Sequence, residues 1–268
     1  MLKNLPPVTL NLLLINILVF VVSIVLSQNG TPMEDLLGAH YFNSVIFEPY
    51  QVVSHMFMHS LTDPFHIIFN MMLLVIFGGH LERLWGARRY FLFYVACGLG
   101  ALTLYSSIGV YEIMQMKESL LEQGVNMGSV DLAIQQYHLT LGNSEYDFAM
   151  ILQDALDKHY LTSDVVANWR ELREYVFLNV SSLAGASGAL FGVMAAFMLL
   201  FPNTELYLMF IPIPVKAKYL IGGYLAFEVY NSLNNPNDNI AHLAHVGGAI
   251  VGIILVLIRR KTDRKNFW

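Results

Sequence analysis

Long apolar stretches alternate with polar segments along this 268-residue chain. A helix that crosses a membrane needs about 20 mostly apolar residues, and six stretches approach that length. The pattern therefore predicts an all-α membrane protein with six spanning helices. The predicted spans cover about residues 8–28, 61–79, 90–111, 180–201, 218–234 and 240–258.

Polar residues interrupt two of these stretches. The second contains His66 and Asn70, and the fifth is short and contains Glu228. The first stretch ends in SQNGTP without a small-residue cleavage site, so we expect a retained helix and not a signal peptide. Six remains the best-supported number of spans.

Basic residues indicate how the spans are oriented. Lys and Arg in short loops favour the cytoplasmic side, and eleven of the fifteen fall at alternate ends of the spans. The intervening loops at about 29–60 and 235–239 contain neither type. Both termini are therefore predicted to be cytoplasmic. The eleven residues are Lys3, Arg83, Arg88, Arg89, Lys216, Lys218, Arg259, Arg260, Lys261, Arg264 and Lys265.

A polar segment at residues 112–179 separates the third and fourth spans and is predicted to lie outside. It contains eleven acidic and four basic residues, and long loops escape the charge rule. Helical spacing of its apolar residues predicts a helical exterior insertion, which either gates or recruits a substrate or is only a solvated insertion. The spaced residues are Ile151, Ala155 and Leu156, and Trp169, Leu172 and Val176.

Composition agrees with a membrane protein and excludes several function classes. Hydrophobic residues make up 56% of the chain and charged ones 13%, with a mean hydropathy of +0.52. The net charge of -5 and the lack of a basic stripe give no indication of nucleic-acid binding. The single cysteine, Cys97, cannot form an internal disulfide, so neither a disulfide framework nor a thiolate metal site is expected.

Four polar residues are predicted to lie within the outer part of the membrane, with Ser187 and His245 at the same level. A charge at membrane depth costs about 2.5–3.5 kcal/mol on insertion scales, so polar residues there need a reason. Ser187 and His245 each lie about six residues, or roughly 9 Å, below the outer end of their helices. His66 and Asn70 lie at roughly 8 and 14 Å, on one helical face because they are four residues apart.

Small residues predict a close contact between the fourth and sixth spans. Close approach of two helices brings short side chains such as serine within reach of a partner. Each span has small residues at intervals of four, so we expect the serine and histidine helices to pack closely. The residues are Gly188, Gly192 and Ala196 in the fourth span, and Ala244, Gly248 and Gly252 in the sixth.

These residues have the chemistry of acyl transfer. A serine hydroxyl needs a base during attack, and histidine is the usual one, so Ser187 and His245 are the predicted nucleophile and base. Neither span contains an acidic residue to orient the imidazole. We therefore expect a dyad, with the histidine held by packing or other hydrogen bonds. His66, Asn70 and the backbone N–H of Ser187 are the expected oxyanion donors.

Taken together, the motifs resemble the rhomboid family of intramembrane serine proteases. They are HxxMH and HIIFN around the second span, GASG in the fourth and AHxxGxxxG in the sixth. The resemblance covers residues 1–268 as one membrane domain, apart from the exterior insertion. It implies a six-helix bundle in the cell (plasma or inner) membrane, with Ser187 and His245 catalytic and His66 and Asn70 stabilising the oxyanion. The implied substrates are single-span membrane proteins in the lipid bilayer, cut near a locally unstable helix without metal or other cofactor.

Two features depart from the family pattern. Tyr50 and Gln51 stand where members often have Trp-Arg in the first exterior loop. The loop between spans three and four is normally short, whereas here it has some 65 residues. Neither the function of that segment nor the oligomeric state follows from the sequence.

Other polar residues have more than one interpretation. His55 and His59 have the i, i+4 spacing of metal ligands, but no glutamate of a zinc-binding HExxH motif lies between them, which favours packing. His242 is one turn from His245 and lacks the glycine continuation expected of the base. Glu228 is a functional candidate because charges in spans usually are, or it reaches water or bonds a neighbouring helix.

Two other function classes compete with the protease. An inactive rhomboid-like module that binds transmembrane helices is the alternative, although such proteins typically lose the serine or the histidine. A transporter or channel would need a polar path across the whole membrane. Here the polar residues cluster toward the predicted outer side, which disfavours transport.

Overall fold

A computed structural model describes residues 4–31, 33–137, 169–208, 211–234 and 242–262. Within these ranges the chain is mainly helical. The helical spacing at Ile151, Ala155 and Leu156 and the predicted loop at 235–239 lie outside the described residues.

Six helical segments, one of them made of two helices, lie at the predicted spans. They are α1 (Pro7–Gln28), α4 (Pro64–Leu73) continued through a π-turn (Leu74–Gly78) into α5 (Gly79–Trp85), α6 (Ala87–Glu122), α9 (Ser187–Leu200), α10 (Ala217–Asn234) and α11 (His242–Thr262). The shorter helices are α2 (Met33–Leu37), α3 (Gln51–Ser54), α7 (Met127–Tyr137) and α8 (Trp169–Val180), with a 3₁₀ turn at His55–Phe57.

Length and hydropathy identify the helices that can cross a bilayer. Among the described residues, four are long and apolar enough: Pro7–Gln28, Pro64–Trp85, Ala87–Glu122 and His242–Lys261. Helix α9 is apolar but has only 14 residues. Large apolar side chains on α1 are exposed, Leu18 by 63%, as expected of a helix that faces lipid. The fold class, a helical membrane bundle, is therefore as predicted, and the number of six spans stays a prediction.

The predicted start of the fourth span is wrong. Helix α9 begins at Ser187 and not near residue 180, because α8 ends at Val180 and Gly185 has a positive φ of 132°. That backbone conformation favours glycine and interrupts the helix. The depth predicted for Ser187 assumed a continuous helix, so it does not apply to this segment. Sliding-window hydropathy cannot detect such a break inside an apolar stretch.

A short β-hairpin connects α9 and α10, which the apolar pattern did not predict. Strands β1 (Glu205–Leu208) and β2 (Ile211–Lys216) pair antiparallel, with Glu205 opposite Lys216 and an irregularity at Tyr207 and Leu208. The hairpin lies between the fourth and fifth predicted spans, at residues that hydropathy assigns to neither of them.

The chain forms two compact units. The first comprises residues 1–22, 56–105 and 185–268, and the second comprises 23–55 and 106–184. In the first unit, Glu82 accepts hydrogen bonds from the backbone N–H groups of Val8 (2.9 Å) and Thr9 (2.7 Å) and from the Thr9 hydroxyl (2.8 Å). These bonds satisfy free N–H groups at the start of α1.

Glycines make the contact between α9 and α11 close, as the sequence predicted. A Cβ at Gly248 would overlap the carbonyl of Gly188, and one at Gly252 would lie 2.5 Å from the carbonyl oxygen of Gly192. A Cβ at Gly192 would overlap Cys97 of α6 and would lie 2.8 Å from the carbonyl oxygen of Gly248. Backbone atoms of α9 and α11 therefore pack directly against each other.

The second unit is held by polar contacts among its own segments. Asp131 of α7 accepts bonds from Lys117 of α6 and the Tyr175 hydroxyl of α8, each at 2.6 Å. Helix α6 runs unbroken through residue 112, where the insertion was predicted to begin. Gln51, at the first atypical position, is buried and accepts a bond from the Glu48 N–H at 3.1 Å. Tyr50 is exposed.

Candidate active site

Ser187 is the first residue of α9. The first helical N–H groups have no acceptor within the helix, and the earliest i to i−4 bond of α9 joins the N–H of Leu190 to the carbonyl of Ala186 at 3.0 Å. The break at Gly185 thus places the Ser187 hydroxyl beside free backbone donors. An anion is stabilised at such a helix start.

His245 lies one turn into α11 and meets the serine. Its Nε2 atom lies 3.0 Å from the Ser187 Oγ, a hydrogen-bond distance. The imidazole stacks on the ring of Phe191, one turn after the serine, with centroids 4.1 Å apart and planes 12° apart. Helix α9 therefore supplies both the hydroxyl and a surface that holds the imidazole. The sequence argument expected such packing but did not identify Phe191.

Glu228 of α10 contacts the opposite edge of the same imidazole. Its Oε2 atom lies 2.8 Å from Nδ1 of His245 and 2.6 Å from Nδ1 of His242. Of the interpretations left open, bonding to a neighbouring helix is the one observed. Glu228 belongs to the fifth span, whereas the dyad was predicted from the lack of acidic residues in the fourth and sixth spans. The signal that could have found it was a charge within an apolar span.

His66 and Asn70 lie one turn apart on α4, which begins after an N-cap in which Asp63 accepts a bond from the Phe65 N–H at 3.0 Å. The Ser60 N–H donates to Nδ1 of His66 at 3.4 Å. A neutral imidazole with Nδ1 as acceptor has its hydrogen on Nε2. The Asn70 Nδ2 is buried and has no hydrogen-bond partner within the part of the chain that is described.

Gly185 lies close to both the serine and His66 of α4. A Cβ placed on Gly185 would lie 3.1 Å from Nε2 of His66 and 3.5 Å from Oγ of Ser187. Both atoms therefore lie close to the position that a side chain at residue 185 would occupy. Ser187, His245 and His66 thus come together as the sequence predicted.

Glu228, His242 and His245 also have the composition of a metal site. Their ligand atoms lie within 4.8 Å of one another, and two histidines with a glutamate are a known zinc set. The observed separations of 2.6 and 2.8 Å are those of N–H···O hydrogen bonds. The three side chains are therefore joined to one another by hydrogen bonds.

His55 and His59, the pair with the spacing of metal ligands, have different surroundings. Nδ1 of His55 lies 2.8 Å from the carbonyl oxygen of Gln51, and burial lowers the pKa of His55 to about 4. The ring of His59 lies 5.2 Å from that of His66. These contacts agree with packing roles for both residues.

The apolar helices define a multi-pass integral membrane protein, and a serine and a histidine of two of its helices lie within hydrogen-bond distance. The sequence profile of the rhomboid domain matches residues 47–155 and 158–262, and the chain belongs to the rhomboid family. Rhomboid protease AarA of Providencia stuartii is 24% identical over 260 residues, which are 92% of this chain and 70% of that protein.

Proposed function

We propose that this protein is an intramembrane serine endopeptidase in which Ser187 is the nucleophile and His245 the general base. Membership of the rhomboid family and the similarity to a rhomboid protease support proteolysis as the activity. The observation that carries the assignment of residues is the 3.0 Å separation between the Ser187 Oγ and Nε2 of His245.

The reaction would follow the usual two steps of serine proteases. The Ser187 Oγ attacks the scissile carbonyl carbon while its proton moves to Nε2 of His245, and the carbonyl π electrons move to the oxygen. Collapse of this intermediate breaks the C–N bond, and Nε2 returns the proton to the leaving nitrogen. Water then hydrolyses the acyl-enzyme by the same route, with His245 as base.

The developing oxyanion has three proposed donors. Nε2–H of His66 lies beside Gly185, and the Asn70 Nδ2 is buried one turn along the same helix. The N–H of Ser187 is the third, at the start of α9. Donors fixed before reaction stabilise the transition state strongly, since loss of one costs about 10²–10³ in rate in soluble proteases.

The proposed substrates are single-span membrane proteins that reach the site from the lipid bilayer. A helical substrate has its carbonyls hydrogen-bonded within the helix, so attack requires a segment that unwinds readily. We also propose that both termini are cytoplasmic and that residues 112–179 form an exterior helical insertion. An inactive helix-binding module is disfavoured because a serine and a histidine stand within hydrogen-bond distance.

Cleavage in liposomes tests this proposal. We expect the wild type to cleave a labelled single-span substrate and Ser187→Ala to lose at least about 10³-fold in rate, because the nucleophile is removed. Ser181→Ala is the matched control, since that hydroxyl bonds the Phe177 carbonyl at 2.7 Å. Cleavage by Ser187→Ala at the wild-type rate would rule out the proposed nucleophile.

A further inference from the structure

Glu228 is a buried acidic side chain on the edge of the imidazole opposite Ser187. Its side chain is 2% exposed, and its Oε2 atom lies 2.8 Å from Nδ1 of His245. Nε2 of the same ring lies 3.0 Å from the Ser187 Oγ. The three residues thus form a continuous line of hydrogen bonds across α9, α11 and α10.

The carboxylate determines which nitrogen of His245 has the hydrogen. An ionised carboxylate only accepts hydrogen bonds, so Nδ1 must be the donor. The lone pair of the neutral ring is then on Nε2, facing the serine, as a base requires. With the other tautomer, Nε2 already has a hydrogen and cannot take the serine proton.

A buried carboxylate needs more than one partner. Burying a charge is costly unless it is paired and hydrogen-bonded. His242 supplies a second contact, with Nδ1 2.6 Å from the same Oε2 atom. His242 and His245 are three residues apart and therefore share one face of α11. The second histidine thus holds the carboxylate against the first.

The geometry points to Glu228 as a positioning residue that completes a serine–histidine–glutamate triad, with His242 as its second donor. This inference rests on the proposed protease function. During attack the serine proton moves to Nε2 while Nδ1 keeps its hydrogen, so His245 becomes an imidazolium. Glu228 stays ionised throughout and stabilises that positive charge, as the acidic residue of soluble triads does.

A purely structural role is the competing account, because the same bonds join α10 to α11. The two accounts predict different kinetics. A structural bond affects how much protein is folded, whereas a positioning bond affects the rate constant of each folded molecule. Reaction of Ser187 with a fluorophosphonate distinguishes the two accounts. The fraction of protein labelled at the end of the reaction reports the folded fraction, and the rate constant of labelling reports activation of the hydroxyl.

The decisive variant is Glu228→Gln, compared with wild type as full-length protein in liposomes. Loss of the charge next to the catalytic histidine costs about 10⁴-fold in a soluble triad. Because Phe191 also holds the ring here, we expect about a 10²-fold loss in the labelling rate constant and in kcat, with KM within about threefold. Glu205→Gln, the same change in the hairpin, is the matched control and should behave like wild type.

Two further variants keep the test decisive if Glu228→Gln folds poorly. Glu228→Asp keeps the charge and should retain at least about tenfold more activity than Glu228→Gln. His242→Ala should lose less than Glu228→Gln, because the bond from His245 remains. A wild-type rate constant with a reduced endpoint in Glu228→Gln, or equal rate constants for the Asp and Gln variants, would overturn the positioning role.

Failure of the parent proposal gives a different result. If the wild type neither cleaves nor reacts at Ser187, the protease proposal itself is wrong. If the wild type reacts, Ser187→Ala does not, and Glu228→Gln matches the wild type, the protease proposal stands and the triad does not.

Discussion

At the residue scale, the absence of a Cβ at Gly185 affects the site directly. Its φ of 132° is rarely adopted by residues with a side chain, and a Cβ there would lie 3.1 Å from His66. The conformation interrupts the helix immediately before Ser187. The missing side chain leaves the space in which we propose that the oxyanion forms.

We therefore predict that Gly185→Ala is nearly inactive. The strained backbone should cost about 1–3 kcal/mol, and the methyl group should displace His66, so the cleavage rate should fall by about 10²-fold or more. Cleavage assays and thermal unfolding in detergent measure the two effects. Gly79→Ala is the control, since its nearest neighbours would lie 3.8 Å away. Wild-type cleavage by Gly185→Ala would contradict an oxyanion site beside this glycine.

Residue types and spacing predicted Ser187, His245 and His66, because each belongs to a short motif. Glu228 was missed as a partner because its role depends on which face of α10 packs against α11, and apolar periodicity within a span does not determine that. Phe191 was missed for a related reason. A phenylalanine in a membrane helix has no chemical signature that separates a stacking partner from a lipid-facing residue.

At the element scale, the contact between α9 and α11 brings the serine and the histidine together. The glycine and alanine spacing predicted this contact, and the overlap of a Cβ at Gly248 with the Gly188 carbonyl confirms it. Gly188 follows Ser187 directly, and Gly248 lies one turn after His245. The distance between the helices at this point therefore determines whether the two side chains can hydrogen-bond.

We predict that Gly248→Ala separates the helices and disables the pair. Overpacking at a close contact typically costs about 1–3 kcal/mol, and the cleavage rate should fall more than about tenfold because the 3.0 Å contact is lengthened. Ile250→Ala on the same helix is the control, since Ile250 is 45% exposed. Thermal unfolding and cleavage should be measured together. Retention of both in Gly248→Ala would show that the close approach is not required.

Element boundaries were less predictable than element types. The start of α9 depends on the backbone of Gly185, and hydropathy averages over such a local feature. The hairpin of β1 and β2 lies between the fourth and fifth predicted spans, at residues that the apolar pattern assigns to neither span. Both deviations lie next to the ends of predicted spans.

At the scale of the whole molecule, hydropathy predicted the helical membrane bundle, whereas the orientation predicted from charge stays a prediction. Four helices long enough to cross the bilayer and the rhomboid domain agree with a multi-pass membrane protein. Helix α6 extends far beyond its apolar part, to Glu122, which the polar composition after residue 111 did not indicate. Hydropathy predicts where the apolar stretch ends, whereas the end of the helix depends on backbone hydrogen bonds and local contacts.

We propose that His245 activates the Ser187 hydroxyl within the membrane domain. The most direct test is to treat the wild-type protein in liposomes with a fluorophosphonate and to locate the adduct by tandem mass spectrometry. We predict one phosphonyl group on Ser187 in the wild type and none in the His245→Ala variant. An adduct on another residue, or none on Ser187 in protein that cleaves its substrate, would contradict this account.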